Sequence, residues 1–196
     1  MGLLVVISGP SGSGKDTVIA HLVKQLPDAI RFVTSNTRPA RPREISGITY
    51  HTLAREEFEK KIAAGDFVES NEHFGEYYGT EKKLLEQDLA KHEIVFLNID
   101  IPGRDTLVSK QIPHTAIYIL PESLEALTKR ITKRGGLTPE QVNDRVTSAK
   151  NEIEASVGYD YRVTNHEGRL DETVAKIREI LAYSTHSASP LDKKAE

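Results

Sequence analysis

No cysteine occurs anywhere in the chain. That removes disulfides, thiolate metal sites and a cysteine nucleophile together, and it agrees with a reducing compartment. An excess of basic charge is also missing: 26 Lys and Arg face 29 Asp and Glu, a formal charge of −3. The balance therefore calls for no nucleic-acid backbone as partner, although local basic clusters remain available for small anions. Long apolar runs are absent near the start. Residues 3–7, Leu-Leu-Val-Val-Ile, are too few to span a bilayer and lack a basic lead-in, which argues against both an anchor and a secretory leader. Val6 stands where a myristoylation motif beginning at Gly2 requires Ser or Thr. With neither an internal repeat nor a linker, the 196 residues are expected to form one unit with one sizeable core, soluble, cytoplasmic and with no membrane partner.

The hydrophobic rhythm points to an α/β fold. Residues 3–7 read as a strand buried on both faces. A glycine-rich turn follows at 9–14, and Val18, Ile19, Leu22, Val23 and Leu26 then recur at helical spacing up to Pro27. Such a strand–turn–helix unit favours a parallel sheet flanked by helices. Residues 31–80 break the rhythm, with strand-like segments at 32–35 and 48–51, a short helix at 55–64 and strand and turn at 67–79. They read as a small mixed β insertion above the main sheet. Alternating strands and helices return from residue 81, with strands expected at 94–99, 115–120 and 159–164. Helices are expected at 81–91, 104–110, 123–134, from Thr138 to about residue 157, and at 170–183. Thr138-Pro139-Glu140-Gln141 has the form of a capped helix start. The Ser-, His-, Pro- and Lys-rich end from Ser184 is expected to fray.

The first turn carries the sharpest chemical signal. Gly9-Pro10-Ser11-Gly12-Ser13-Gly14-Lys15 fits the start of G-x-x-x-x-G-K-[ST], between a strand and a helix as that motif requires. Its glycines let successive backbone N–H groups face one anion, the helix adds its positive end, and Lys15 supplies a point charge for the β and γ phosphates. Asp16 stands where the pattern wants Ser or Thr, and Thr17 follows. A carboxylate beside phosphates needs a cation between them. Asp16 therefore either faces a magnesium ion or its waters, or carries a helix N-terminal charge only.

The insertion concentrates residues suited to a phosphorylated base. Arg38 and Arg41 lie on a proline-stiffened segment and are shaped for bidentate phosphate contacts. Tyr50 and Tyr78 can donate hydroxyls to the same group. Glu69 and Asp100 are carboxylates near strand ends, able to accept from guanine N1–H and its 2-amino group. Adenine has no donor at N1 and would leave that acceptor unpaired. Farther on, Lys129, Arg130, Lys133 and Arg134 form a basic cluster before Gly135-Gly136. Positive charge on a mobile helical arm suits phosphoryl transfer, which requires charge neutralisation and exclusion of water.

In these segments the chain resembles the guanylate kinase family. The phosphate loop matches, as do Thr37-Arg38-Pro39-Ala40-Arg41-Pro42-Arg43-Glu44, Gly47, Tyr50-His51 and Arg55-Glu56-Glu57-Phe58. So do Gly65-Asp66-Phe67-Val68-Glu69, Gly75-Glu76-Tyr77-Tyr78-Gly79-Thr80, Asn98-Ile99-Asp100-Ile101-Pro102-Gly103, residues 130–135 and Arg145. The likeness runs from about residue 3 to residue 183. It implies a P-loop NTPase-type parallel core at about 1–33, 81–125 and 158–185. A GMP-binding insertion would lie at about 34–80, a lid at about 126–157, and a tail at 186–196. It implies ATP-dependent phosphorylation of GMP, and of dGMP, with magnesium. ATP and GMP would then be the partners of a monomer or homodimer.

The same resemblance implies that Gly9 through Thr17, with Asn165 near the adenine, bind ATP. Arg38, Arg41, Tyr50 and Tyr78 would hold the GMP phosphate. Glu69, Thr80 and Asp100 would read guanine, with Thr34 where the family usually has Ser. Lys15, Arg38 and the lid arginines Arg130, Arg134 and Arg145 would act on the transferred phosphoryl group. Two positions depart from the family pattern. Asp16 replaces the usual Ser or Gly, and Asn98 replaces a usual aspartate; the expectation is that Asp16 restores beside the metal the carboxylate that Asn98 lacks. The competing readings are a phosphorylated-sugar kinase of the ribose 1,5-bisphosphate type, whose loop often has Asp after the lysine, and a non-catalytic guanylate-kinase-like binding module.

Overall fold

Leu4 and Val6 face one side of the first strand, Val5 and Ile7 the other, and all four are buried. The computed structural model describes residues 2–40, 47, 50–73, 75–133, 136 and 138–186. In chain order its elements are β1 (Leu3–Ser8), α1 (Lys15–Gln25), β2 (Ala29–Arg31), β3 (Ser35–Asn36), β4 (His51–Thr52), α2 (Arg55–Ala64), β5 (Phe67–His73), β6 (Glu76–Glu81) and α3 (Lys82–Lys91). They continue with β7 (Ile94–Asn98), α4 (Ile101–Ser109), β8 (Thr115–Pro121), α5 (Leu124–Lys133), α6 (Pro139–Ala155), a 3-10 turn (Ser156–Gly158), β9 (Tyr161–Asn165) and α7 (Leu170–His186).

The main sheet has the order β2-β7-β1-β8-β9, and every pairing is parallel. Helices cover both faces, as an all-parallel sheet requires. On one face Val18, Ile19 and Leu22 of α1 and Ile177, Ile180 and Leu181 of α7 pack against Val5, Ile7, Phe96 and Ile117. On the other, Leu85 and Leu89 of α3 and Leu107 of α4 pack against Leu4, Val6, Val95 and Tyr118. Every parallel strand therefore ends at the same edge, where ligands of such sheets collect.

A second sheet, ordered β4-β3-β6-β5, lies within residues 35–81. The single strand expected at 32–35 is instead divided. β2 ends at Arg31 on the main sheet, Phe32 still donates its N–H to Phe96 O at 2.8 Å, Thr34 O already accepts from His51 N at 2.9 Å, and β3 begins the second sheet. The apolar pattern could not show this change of sheet, because Phe32 is buried in the main core while Ser35 is already paired with Gly79. Ile48 and Thr49, expected in a strand, lie outside the described residues, as do residues 187–196.

The α5–α6 pair has a small core of its own. Leu127 and Ile131 of α5 meet Ala149 of α6, with Leu124, Val142 and Val146 around them. The expected capping box is formed: Thr138 Oγ1 accepts from Gln141 N at 3.3 Å, and Gln141 Oε1 accepts from Thr138 N at 2.9 Å. Among the described residues no helix is long and apolar enough to cross a membrane.

Candidate active site

Gly14 ends the turn after β1 with φ 95°, a backbone setting that residues with a Cβ rarely adopt. Asn165, at the end of β9, packs against it so closely that a Cβ would collide with its amide. The amide donates to Ser13 O at 2.8 Å, and Asn165 Oδ1 accepts from Thr173 Oγ1 at 3.2 Å. Asn165 is thus buried behind the loop and holds its shape, rather than lining the cleft in front of it. No side chain caps α1. Its first N–H groups therefore remain oriented toward an anion at the loop. Lys15 Nζ rests on the loop's own carbonyls, 2.5 Å from Gly9 O and 3.2 Å from Pro10 O.

A cleft of about 720 Å³ opens in front of this loop. Gly9, Ser11, Gly12, Gly14, Lys15, Asp16 and Thr17 line it on one side; Thr34, Arg38, Tyr50, Glu69, Tyr78 and Asp100 line it on the other. Arg130 and Arg145 border it from α5 and α6. Residues far apart in the chain therefore converge: Arg145 Nη1 lies 3.5 Å from Ser11 Oγ, 134 positions away, and Arg130 Nη1 lies 3.5 Å from Gly12 O, 118 positions away. Pro10, Ser13, Thr80 and Asn165 do not line the cleft. Arg41 and Arg134 lie outside the described residues.

The side of the cleft facing the phosphate loop is built around a buried carboxylate. Glu69 is only 4% exposed. Its Oε1 accepts from the Thr80 hydroxyl at 2.5 Å. Gly103 gives the carboxylate room: a Cβ there would stand 2.8 Å from Glu69 Oε2. Burial, reinforced by the nearby charge of Asp100, pushes the Glu69 carboxyl up to about 7, against the opposing effects of the Thr80 hydroxyl and Lys110. Asp100 has two duties. It is the N-cap of α4, with Oδ1 accepting from Gly103 N at 2.9 Å, and its Oδ2 accepts from Asn71 Nδ2 at 2.8 Å. Arg38 is buried, with its guanidinium over the Tyr50 ring at 4.8 Å.

Sequence reading missed Arg31. At the end of β2, its Nη2 lies 2.9 Å from Asp16 Oδ1, the oxygen that also accepts from Asn98 Nδ2 at 3.1 Å. The same guanidinium lies 6.0 Å from the centre of the Tyr50 ring. Asp16 and Asn98, the two departures from the family pattern, are therefore in direct contact. No spacing rule exposes Arg31, because its partner is brought to it by the order of strands in the sheet. Among the described residues no group of His, Cys, Asp and Glu side chains forms a cage for a metal ion. The half-exposed Asp16 carboxylate beside the loop fits a magnesium ion that is carried mainly by nucleotide phosphates and water.

Comparison with known proteins agrees along nearly the whole length. The family model for guanylate kinase matches residues 1–184. A guanylate kinase of Clostridium perfringens is 42% identical over 180 residues, covering 92% of this chain and 82% of its own. One from Symbiobacterium thermophilum is 39% identical over 181 residues, covering 92% and 84%. The crystal structure of guanylate kinase from Anaplasma phagocytophilum superposes with a TM-score of 0.77 at 29% identity, covering 95% of this chain and 88% of that one. A shikimate kinase from Bacteroides thetaiotaomicron, with a TM-score of 0.56 at 14% identity, shares the fold alone. By sequence along residues 1–184 and by fold, the chain belongs to the guanylate kinase family of nucleoside monophosphate kinases.

Proposed function

We propose that the protein transfers the γ-phosphoryl group of ATP to GMP, and to dGMP, giving the nucleoside diphosphate. One observation carries this reading: a buried carboxylate, Glu69, faces the same cleft as the phosphate loop and is flanked by Thr80 and Asp100. A phosphorylated-sugar kinase has no base for that carboxylate to read, and a binding module without catalysis has no need of Lys15 in a phosphate loop. In this assignment residues 34–80 bind the acceptor, 126–157 form the lid, and the rest of the chain to about residue 185 forms the core.

The phosphate loop and Lys15 hold the β and γ phosphates of ATP. Arg38, Arg41, Tyr50 and Tyr78 hold the acceptor phosphate, whose own oxygen is the nucleophile, so no general base is needed. Arg130, Arg134 and Arg145 close on the group in transit, adding positive charge and excluding water. Asn165 serves ATP from behind, by fixing the loop. Magnesium, held with ATP and reached from the protein by Asp16, would supply charge neutralisation at the phosphates. The test is direct: purified protein, ATP and magnesium with GMP, dGMP, AMP, UMP or ribose 1,5-bisphosphate. GMP and dGMP should turn over, and preferential turnover of the sugar phosphate would overturn the reading.

The contact between Asp16 and Asn98 yields a sharper expectation. Asp16→Asn should raise the magnesium concentration for half-maximal activity about fivefold, the scale of about 1 kcal/mol for one water-screened charge pair. Asp16→Ser combined with Asn98→Asp should recover much of the loss, because it returns the carboxylate from the other side of the same hydrogen bond. Additive effects in that double-mutant cycle would show that the two positions do not compensate one another.

A further inference from the structure

A carboxylate beside a polyphosphate repels it unless a cation lies close by. Asp16 is such a carboxylate. It follows Lys15 in the first turn of α1 and lines the cleft with the phosphate loop. The protein supplies a cation of its own at this point. Arg31 Nη2 stands 2.9 Å from Asp16 Oδ1, and among the described residues no other cationic side chain pairs with that carboxylate. Asn98 Nδ2 donates to the same oxygen at 3.1 Å but carries no charge. Arg31 closes β2 and Asn98 closes β7, two neighbouring parallel strands, so the sheet itself delivers both donors. The Arg31 side chain is 24% exposed, against 62% for Asp16, and Arg31 does not line the cleft. Its effect on a nucleotide in the cleft therefore passes through Asp16.

Paired with Arg31, Asp16 is neutralised, and Lys15 and the first N–H groups of α1 set the potential at the loop. Unpaired, the carboxylate would offset the charge of Lys15, and a magnesium ion would have to restore it. We propose that Arg31 is a positioning residue that serves as the built-in counter-charge of Asp16, so that the loop takes up ATP whether or not magnesium comes with it. Magnesium then serves the transfer step rather than the capture of the nucleotide. The inference rests on the reading of ATP as the phosphoryl donor.

The test is calorimetric binding of ATP, without GMP, in EDTA and in excess magnesium. For the unaltered protein the two affinities should differ by less than about tenfold. Arg31→Gln should weaken binding in EDTA about fivefold, the scale of one partly screened charge acting on a polyphosphate. In magnesium, which already offsets the phosphate charge, the loss should be less than about twofold. Arg31→Lys keeps the charge and should keep the affinity in EDTA to within about twofold. Adding Asp16→Asn to Arg31→Gln makes the pair neutral again and should recover most of the loss. A further measurement leaves Arg31 untouched: Asp16→Asn alone should bind ATP in EDTA about fivefold more tightly than the unaltered protein. Equal losses for Arg31→Gln in EDTA and in magnesium, as expected if Arg31 only packs near the Tyr50 ring 6.0 Å away, would overturn the proposal. So would a loss that Asp16→Asn leaves in place, an Asp16→Asn protein that gains nothing, or an unaltered protein that binds ATP in magnesium alone. If the unaltered protein bound ATP in neither condition, the reading of ATP as donor would fall, and this inference with it.

Discussion

Replacing Lys15 by Met is expected to lower kcat by about 10²–10³, the range seen when one preorganised electrostatic donor is removed from a phosphoryl- or acyl-transfer site. Met keeps the length and the apolar stem of the side chain, so the substitution tests charge rather than shape. The ammonium group lies over the loop, within reach of the carbonyls of Gly9 and Pro10, at the end of α1 where the backbone N–H groups already favour an anion. Charge on the β and γ phosphates changes most during transfer, so the loss should fall more on kcat than on KM for GMP. Steady-state rates at saturating GMP, with thermal unfolding as a control for the fold, check this. A kcat retained to within about tenfold would remove Lys15 from the transfer step.

Glu69→Gln is expected to lower kcat/KM for GMP by about tenfold or more, because an amide donor then faces a base donor. The variant also carries two pH signatures. Glu69 in the folded protein has its carboxyl at about 7, well above the ordinary carboxylate value, because it is buried. In the proposed assignment, guanine is bound by the ionised form. Affinity for GMP should therefore weaken by up to about tenfold per unit as pH falls below 7, beyond any change due to the phosphate itself. The phosphate titrates in both proteins, so the difference between wild type and Glu69→Gln isolates the carboxyl.

Stability runs the other way. A folded-state value above the unfolded one means that the folded protein holds the proton more tightly. The contribution is full below the unfolded carboxyl value, near 4.3, and is lost as pH rises through about 7. Above that point the charged side chain destabilises the fold by up to roughly 3 kcal/mol, and the neutral glutamine does not. Glu69→Gln should therefore unfold at a higher temperature than wild type at pH 8, and the two proteins should converge as pH falls below about 4. A variant whose unfolding temperature tracks wild type at both ends of this range would show that the carboxyl is not buried as described.

The order of strands and helices in the core was legible because each segment announces its own environment. Val5, Ile7, Phe96 and Ile117 belong to short apolar runs, and such runs have one stable home in a chain of this size, a sheet covered on both faces. The phosphate loop was legible for a similar reason, since its glycines and lysine act through local backbone geometry. Contacts that depend on the sheet's strand order were not. Arg31 reaches Asp16 only because β2 lies beside β7, and Asn98 at the end of β7 reaches the same carboxylate. Asn165 is assigned to the nucleotide by resemblance, yet it packs against Gly14 behind the loop. Glu69 was recognisable as a carboxylate in a matching motif, but its proton affinity follows from its burial and from the charge of Asp100 beside it. Neither property has a signature along the chain.

Asp100 caps the helix that follows β7 with one oxygen and faces the acceptor cleft with the other. This shared side chain constrains how the enzyme can diverge. A lineage drifting toward another base must alter the charge at this position, and in the same step it gives up a helix cap, about 1 kcal/mol for removal of such a side chain. Ser and Asn keep the cap while changing the recognition face, so substitutions there are the accessible first steps. Changes to Ala or Leu require a stabilising change elsewhere beforehand. The order in which mutations can be fixed is thus written into the start of α4.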